Sequence, residues 1–118
     1  MSQMHQILTL LAGRPDVAGA LVFSEEGLTI AALLPPSLDP EATAAHAATI
    51  WRGIVTLSGV AGTGTPEELV MEGSDGVVVI RRLGPGVMVF VLAAGTDVPL
   101  GDLLHDLGRH APALMAGA

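Results

Sequence analysis

The chain has 118 residues, half of them hydrophobic and only 14% charged, and its net charge is −7. Its few cations are scattered arginines, and it has no lysine or cysteine, which argues against nucleic-acid binding, attraction to anionic membranes, disulfides and thiol chemistry. This length predicts a single domain, residues 1–118, whose core needs no crosslinks. Because we find no signal-type start and no apolar run of about 18 residues, we expect a soluble, cytoplasmic protein without membrane insertion.

The first half of the chain predicts a short helix, a β-hairpin and a long helix. The short helix follows from four apolar residues at helical spacing: Met4, Ile7, Leu8 and Leu11. Residues 17–23 predict a strand that is apolar on both faces, and residues 28–34 predict its hairpin partner, with Gly27 free to take a positive φ in the turn. Residues 39–62 predict the longest helix, because Asp39 can cap its first turn and Pro40 suits its first position.

The second half of the chain predicts three strands. Residues 67–72 alternate as a half-exposed strand does. One face of this strand carries Leu69 and Met71, and the other carries Glu68, Val70 and Glu72. Residues 75–76, Asp-Gly, are a strong hairpin signal, and residues 77–82 and 87–93 supply the next two strands, the last of them apolar on both faces. We expect Arg81 to share a sheet face with the carboxylate of residue 68 and to pair with it.

A last helix completes the predicted order α-β-β-α-β-β-β-α. It is indicated by four leucines at helical spacing, Leu100, Leu103, Leu104 and Leu107. We expect Gly108 and Pro112 to limit it, leaving a short tail. Since two strands are apolar on both faces, both faces of the sheet must be covered. The predicted fold class is therefore α+β, a five-stranded antiparallel sheet with the long helix on one face and the two terminal helices on the other.

The long helix has an unusual distribution of side chains. At about 100° per residue one face collects the residues that we predict to pack on the sheet, Thr43, Ala47, Ile50, Ile54, Leu57 and Ser58, with Trp51 at its border. The other side is small and nearly uncharged, with Ala45, Ala48, Thr49, Thr56 and Gly59 beside Arg52 and Glu41. A solvated helix face normally carries many charges, so we predict that a partner protein covers this side. On this assignment Ala48→Glu should break the association and leave the core intact.

We find no constellation of catalytic, cofactor-binding or metal-binding residues, and we predict none of these sites. Asp102, His105 and Asp106 have a spacing that could converge on a metal, but the leucines of the same helix form the buried stripe, so a solvated surface is the favoured interpretation. His46 has no visible nucleophile or carboxylate partner. The glycines between residues 59 and 64 follow a helix and do not open one, and no lysine accompanies them, which favours a helix-ending loop over a phosphate site.

The run LLAGRPDVAGALVFSEEGLTIAALL, the Ala-rich helix after it and the Glu-rich strand before Asp75-Gly76 resemble the roadblock/dynein light chain family. The resemblance covers essentially the whole chain, and it is strongest to the bacterial MglB-type regulators of small Ras-like GTPases. It implies a profilin-like roadblock fold that is non-catalytic and that forms homodimers or heterodimers. In such dimers the long helices pack together and the third strands can pair into a continuous sheet.

The resemblance also implies a small Ras-like GTPase as partner, whose hydrolysis the dimer stimulates without inserting a catalytic arginine. Arg52, Arg81 and Arg82 are therefore only interface candidates. The predicted interface residues are Ala45, Ala48, Thr49, Arg52 and Thr56 of the long helix and Glu68, Val70 and Glu72 of the third strand. The identity of the GTPase and the choice between homodimer and heterodimer stay open.

Two alternative functions stay open beside this interaction module. A sheet with helices on both faces can hold a small-ligand pocket, so a ligand sensor or a structural scaffold without GTPase-regulating activity is the main alternative. A small hydrolase would need a nucleophile beside a base, and the sequence offers none in recognisable form. No cofactor is expected under any of the favoured interpretations.

Overall fold

The computed structural model describes residues 3–95 and 97–117, which form a five-stranded antiparallel sheet between two layers of helix. The elements are α1 (Gln3–Ala12), β1 (Val17–Ser24), β2 (Thr29–Leu33), α2 (Pro40–Ala61), β3 (Glu68–Gly73), β4 (Gly76–Gly84), β5 (Val87–Ala94) and α3 (Leu100–Gly117). Their order and the α+β class confirm the prediction.

The strands lie in the order β2-β1-β5-β4-β3, and every neighbouring pair is antiparallel. The two strands predicted to be apolar on both faces, β1 and β5, occupy interior positions and are buried along most of their length. β2 and β3 are the edges, and their residues are half-buried or exposed. The outer edge of β3 therefore pairs with no strand of the described chain.

Each face of the sheet carries its own core. The face under α1 and α3 buries Leu8, Leu11, Val22, Val91, Leu103, Leu107 and Leu114, among others. The face under α2 buries Leu21, Phe23, Trp51, Met88 and Phe90 together with three alanines of the helix. The predicted division, one helix against two, is confirmed.

The sequence signals at the ends of α2 act as predicted. Asp39 precedes the helix, and its carboxylate accepts a hydrogen bond from the Ala42 backbone N–H at 3.1 Å. Pro40 is the first helical residue, where its missing N–H leaves no bond unmade. Gly62 closes the helix in the left-handed conformation, with a φ of 74°. These local caps set the length of α2, whatever it packs against.

The prediction for the last helix is wrong at its C-terminal end, because α3 continues through Gly108 and Pro112 to Gly117. A proline inside a helix costs about 3 kcal/mol, since it removes one hydrogen bond and crowds the preceding turn. The added turns bury Ala111 and Leu114, and each fully buried large aliphatic side chain contributes about 1.5–3 kcal/mol. Met115 also packs on Gly84, where a Cβ would lie 2.8 Å from its sulfur. Tertiary packing thus offsets the local helix-breaking signal.

Candidate interaction surface

α2 meets the sheet through three alanines and one large side chain. Its buried residues are Ala44, Ala47, Ala48 and Trp51, and no residue from Arg52 to Ala61 is buried. The contact is close because the β1–β2 turn lies against the helix, and a Cβ built on Gly27 would be 3.2 Å from the Ala45 Cα. Gly27 also has a φ of +90°, which confirms its predicted turn conformation. At this distance only small residues fit the part of the helix beside the turn, and Trp51 is buried further along the helix.

The predicted assignment of the two faces of α2 is wrong at three positions, although Ala47 and Trp51 are buried as predicted. Ala48, predicted to face a partner, is 0% exposed, whereas Ile50 and Leu57, predicted to pack on the sheet, are 54% and 60% exposed. Ile54 and Ser58 are half-buried. The prediction ranked the faces by hydrophobicity, but the β1–β2 turn lies so close to Ala48 that only a small side chain fits at this position.

Ile50 lies in one wall of an open apolar groove between α2 and the sheet. α2 contributes Thr43, His46, Ala47 and Ile50, and the sheet contributes Leu69, Met71, Val78, Ile80 and Phe90. The groove has a volume of about 290 Å³, and Met71 on its outer side is 57% exposed. It lies on the β3–β4 side of α2, beside the unpaired edge of the sheet. We refer to these nine residues as the α2–β3 groove.

Exposed apolar side chains continue beyond this groove along the C-terminal half of α2. Val55 is 45% exposed, Leu57 60% and Val60 83%. The same stretch is almost free of charge, since Arg52 is the one charged residue between Glu41 and Glu67. Leu57 lies seven residues after Ile50 and so on the same flank of the helix, and exposed apolar residues collected on one flank are typical of an interaction site.

The predicted helix interface residues other than Ala48 lie on the opposite flank of α2, facing the β1–β2 hairpin. Ala45, Thr49, Arg52 and Thr56 are all exposed. The Arg52 guanidinium donates to the Glu25 carbonyl oxygen at 2.6 Å and to the Thr49 hydroxyl at 3.3 Å. Arg52 thus ties the helix to the hairpin of its own chain.

The predicted strand residues lie on the sheet face opposite the groove. Glu68 accepts from the Arg81 guanidinium at 3.0 Å, which confirms the predicted pair. Val70 packs against the core under α1 and α3, and Glu72 is exposed. The groove instead contains Leu69 and Met71. The alternation of side chains along a strand predicts that these two residues share one face of the sheet. No local sequence pattern predicts that α2 leaves them uncovered.

The polar residues of α3 take part in ion pairs. Arg14 donates to Asp16 at 2.9 Å and also to Asp106, which contacts Arg109 at 3.4 Å as well. The hydrogen bond from Arg14 lowers the pKa of the Asp16 carboxyl below its usual value, and the same bond raises the pKa of Arg14. Asp106 therefore binds the loop between α1 and β1 to α3.

The described residues contain no metal centre or membrane span. Within 3–95 and 97–117, no three His, Cys, Asp or Glu side chains come together as a metal site. No helix in the same ranges is long and apolar enough to cross a bilayer. The α2–β3 groove and the exposed C-terminal half of α2 form the candidate interaction surface among the described residues.

Comparison with known proteins places this architecture in a family. Uncharacterized protein MJ0310 of Methanocaldococcus jannaschii is 28% identical over 97 residues, which cover 82% of this chain and 85% of that protein. MglB of Myxococcus xanthus superposes with a TM-score of 0.88 at 14% identity, covering 97% of this chain and 86% of MglB. A structure described as MglB with tetrameric arrangement gives 0.85 at 19% identity, with coverages of 98% and 88%. The model of the Roadblock/LC7 domain matches residues 4–93, and the chain therefore belongs to the Roadblock/LC7 family.

Proposed function

We propose that this chain is a non-catalytic interaction module that forms a homodimer and, as a dimer, binds and regulates a small Ras-like GTPase. The observation that carries the dimer is the open α2–β3 groove beside the unpaired edge of β3. Covering its apolar walls with a protein surface in place of water lowers the free energy by about 25 cal/mol for each Å² of apolar area buried. The solved MglB structure with a tetrameric arrangement supports association of several copies of this fold.

A second copy of the chain suits this groove for electrostatic reasons. Two copies with a charge of −7 each repel one another over most of their surfaces. No acidic residue lies between Glu41 and Glu67, so α2 is where two copies can meet without opposing carboxylates. In a twofold contact the same patch serves both copies, and the exposed Ile50 and Leu57 of each would pack toward the groove of the other.

The proposed GTPase partner follows from the resemblance to MglB-type regulators, with the fold similarity to MglB in support. We expect the GTPase to contact surface that the dimer leaves open, including the end of α2 around Val60, which is 83% exposed. The chain offers no arginine there to insert into another active site, because Arg52 is bound to Glu25. Any effect on GTP hydrolysis would then come from positioning the GTPase's own residues.

Ile50→Asp tests the dimer. Ile50 is 54% exposed, so aspartate costs the monomer little, whereas it puts a carboxylate into the proposed contact. We expect sedimentation velocity at micromolar concentrations to show a dimer for wild type and a monomer for Ile50→Asp. Leu10→Asp is the matched control, since Leu10 is 60% exposed on α1, on the other side of the sheet, and it should stay dimeric. A wild-type monomer, or a dimer that survives Ile50→Asp and not Leu10→Asp, would refute the proposed contact.

The GTPase part needs a separate measurement. The probe is the small Ras-like GTPase encoded near this gene or, where none is adjacent, each such GTPase of the same genome. We expect wild type to bind the GTP-loaded form and to change its single-turnover hydrolysis rate, and Ile50→Asp to lose both effects. If the chain binds none of these GTPases, the regulatory proposal is refuted and the proposed dimer is unaffected.

A small apolar ligand is the second candidate for the same groove. The volume of about 290 Å³ lies at the lower end of the range for small-molecule pockets, and its only polar side chains are Thr43 and His46. A ligand of this kind should raise the melting temperature of Leu57→Asp, which also disrupts the proposed contact but leaves all nine groove residues unchanged. A dimer that forms in the absence of any added ligand favours the interaction module instead.

A further inference from the structure

We propose that His46 makes this association sensitive to protons, so that the dimer weakens as the pH falls from neutral toward 5.5. This inference rests on the proposed homodimer. It starts from the position of His46, which is exposed in the single chain and forms part of the wall of the α2–β3 groove. Whatever fills the groove contacts this imidazole and removes water from it.

The groove offers no compensation for a charged imidazole. Its other eight lining side chains, from α2, β3, β4 and β5, are a threonine hydroxyl and seven apolar groups, and none carries a carboxylate. Glu68 and Glu72 of β3 and Arg81 of β4 point to the opposite face of the sheet. Arg82 of β4, two residues beyond Ile80, and Glu67, two residues before Leu69, share the groove face of the sheet, and neither lines the groove. They are neighbours across the two strands, since the Arg82 backbone N–H donates to the Glu67 carbonyl oxygen at 2.8 Å, so their opposite charges lie together.

The charged residues of α2 itself also lie away from His46. Arg52 is directed to the Glu25 carbonyl, and Glu41 lies beside Gly27 and Thr29 on the hairpin side of the helix. A protonated His46 buried by a second copy would therefore have no anionic partner among the groups that line its own groove. Burial of an unpaired charge in apolar surroundings is costly, so the dimer is more stable when the imidazole of His46 is neutral.

The sign of the pH dependence follows from linkage. Histidine is the side chain that changes charge between about pH 5 and 8. If association favours the neutral form, each copy takes up a proton when the dimer separates at low pH, and acid drives dissociation. A twofold dimer contains two such imidazoles. A tenfold loss of proton affinity at each would weaken the dimer by about a hundredfold at low pH, and a threefold loss at each by about tenfold.

The other titratable groups of the chain favour association, rather than dissociation, as the pH falls. Each copy has 12 carboxylates and a net charge of −7, so the protonation of carboxylates and of the other histidines on acidification reduces the repulsion between copies. A dimer without a groove histidine should keep or gain affinity at pH 5.5. The comparison between wild type and a His46 variant isolates the local effect from this general one.

The experiment is sedimentation equilibrium of the full chain at pH 7.5 and pH 5.5 at constant ionic strength. We expect the wild-type dissociation constant to rise by about 10–100-fold at pH 5.5, and that of His46→Gln to change by less than about threefold. His105→Gln is the matched control, because His105 is exposed on α3, and it should follow wild type. Equal pH dependence in wild type and His46→Gln would overturn the inference and leave the dimer intact. A wild-type monomer at both pH values would overturn the dimer and the inference with it.

A second measurement tests the role of His46 if the His46→Gln variant does not form a dimer. The imidazole resonances of His46 can be followed by NMR in the wild-type dimer and in Leu57→Asp, which puts a carboxylate into the proposed contact at a position outside the groove lining. We expect His46 to titrate at a lower pH in the dimer than in the monomeric variant. Identical titration in both proteins would contradict the inference, because it would mean that association does not remove His46 from water.

Discussion

Replacing Ala48 with glutamate places a carboxylate in the tightest part of the contact between α2 and the sheet. Ala48 is 0% exposed and belongs to the cluster of Phe23 and Trp51, and a Cβ on Gly27 would lie 3.6 Å from the Ala48 Cβ. Forcing extra atoms into a filled core costs about 1–3 kcal/mol. A buried polar group without a hydrogen-bond partner adds about 1–3 kcal/mol, and more if it stays ionised.

We therefore expect Ala48→Glu to lose about 2–6 kcal/mol of unfolding free energy, against about 5–15 kcal/mol for a typical folded protein. For a chain of this size, that loss lowers the melting temperature by about 8–25 °C. Circular dichroism melts give the measurement. They should be made in the Ile50→Asp background, so that dissociation of the proposed dimer does not contribute to the shift.

Ala45→Glu is the matched control for this experiment. It is the same substitution three residues earlier in α2, at an exposed position, and it should change the free energy of unfolding by no more than about 0.5 kcal/mol. The pattern of the helix alone predicts a different result, in which Ala48→Glu stays folded and only loses a partner. An Ala48→Glu melt within about 3 °C of its parent would refute the burial of this face.

Two further predictions concern single contacts. Gly27→Ala should cost about 1–3 kcal/mol in urea unfolding, because φ is +90° there and the new Cβ would lie 3.2 Å from the Ala45 Cα; an unchanged midpoint would contradict this. Asp16→Asn should cost about 0.2–1 kcal/mol at pH 7. Since Arg14 lowers the folded-state pKa of Asp16, this contribution is complete above the unfolded-state pKa and is lost as the pH falls through the folded-state value. The two proteins should therefore converge in stability once the pH is below the lowered folded-state pKa of Asp16, and a constant difference would disprove the linkage.

Most of the strands and the start of α2 could be predicted because their signals are local. Alternation in β3 and two-sided apolarity in β1 and β5 follow from the direction of successive side chains in a strand. The cap at Asp39 and the stop at Gly62 depend on backbone groups within a few residues of each. The pairing of Glu68 with Arg81 needed only the register of one hairpin.

The end of α3 could not be predicted in the same way. Gly108 and Pro112 are helix-limiting residues by every local criterion. Their cost is offset by contacts with residues distant in the sequence, since Leu114 is buried in the core under α1 and Met115 packs on Gly84. A local pattern does not contain the surface against which such a segment will pack.

The candidate site could not be predicted from the sequence for the same reason. Helical periodicity correctly groups Thr43, Ile50, Ile54 and Leu57 on one flank of α2, but it cannot say what that flank faces. The sequence by itself determined the elements, their order, the two-sided burial of the central strands and the nearly uncharged character of α2. Only the tertiary structure decided that alanines meet the sheet while aliphatic side chains border an open groove. The reason is distance, because the part of the helix held close to the β1–β2 turn can bury only small residues, and Ile50 and Leu57 stay exposed.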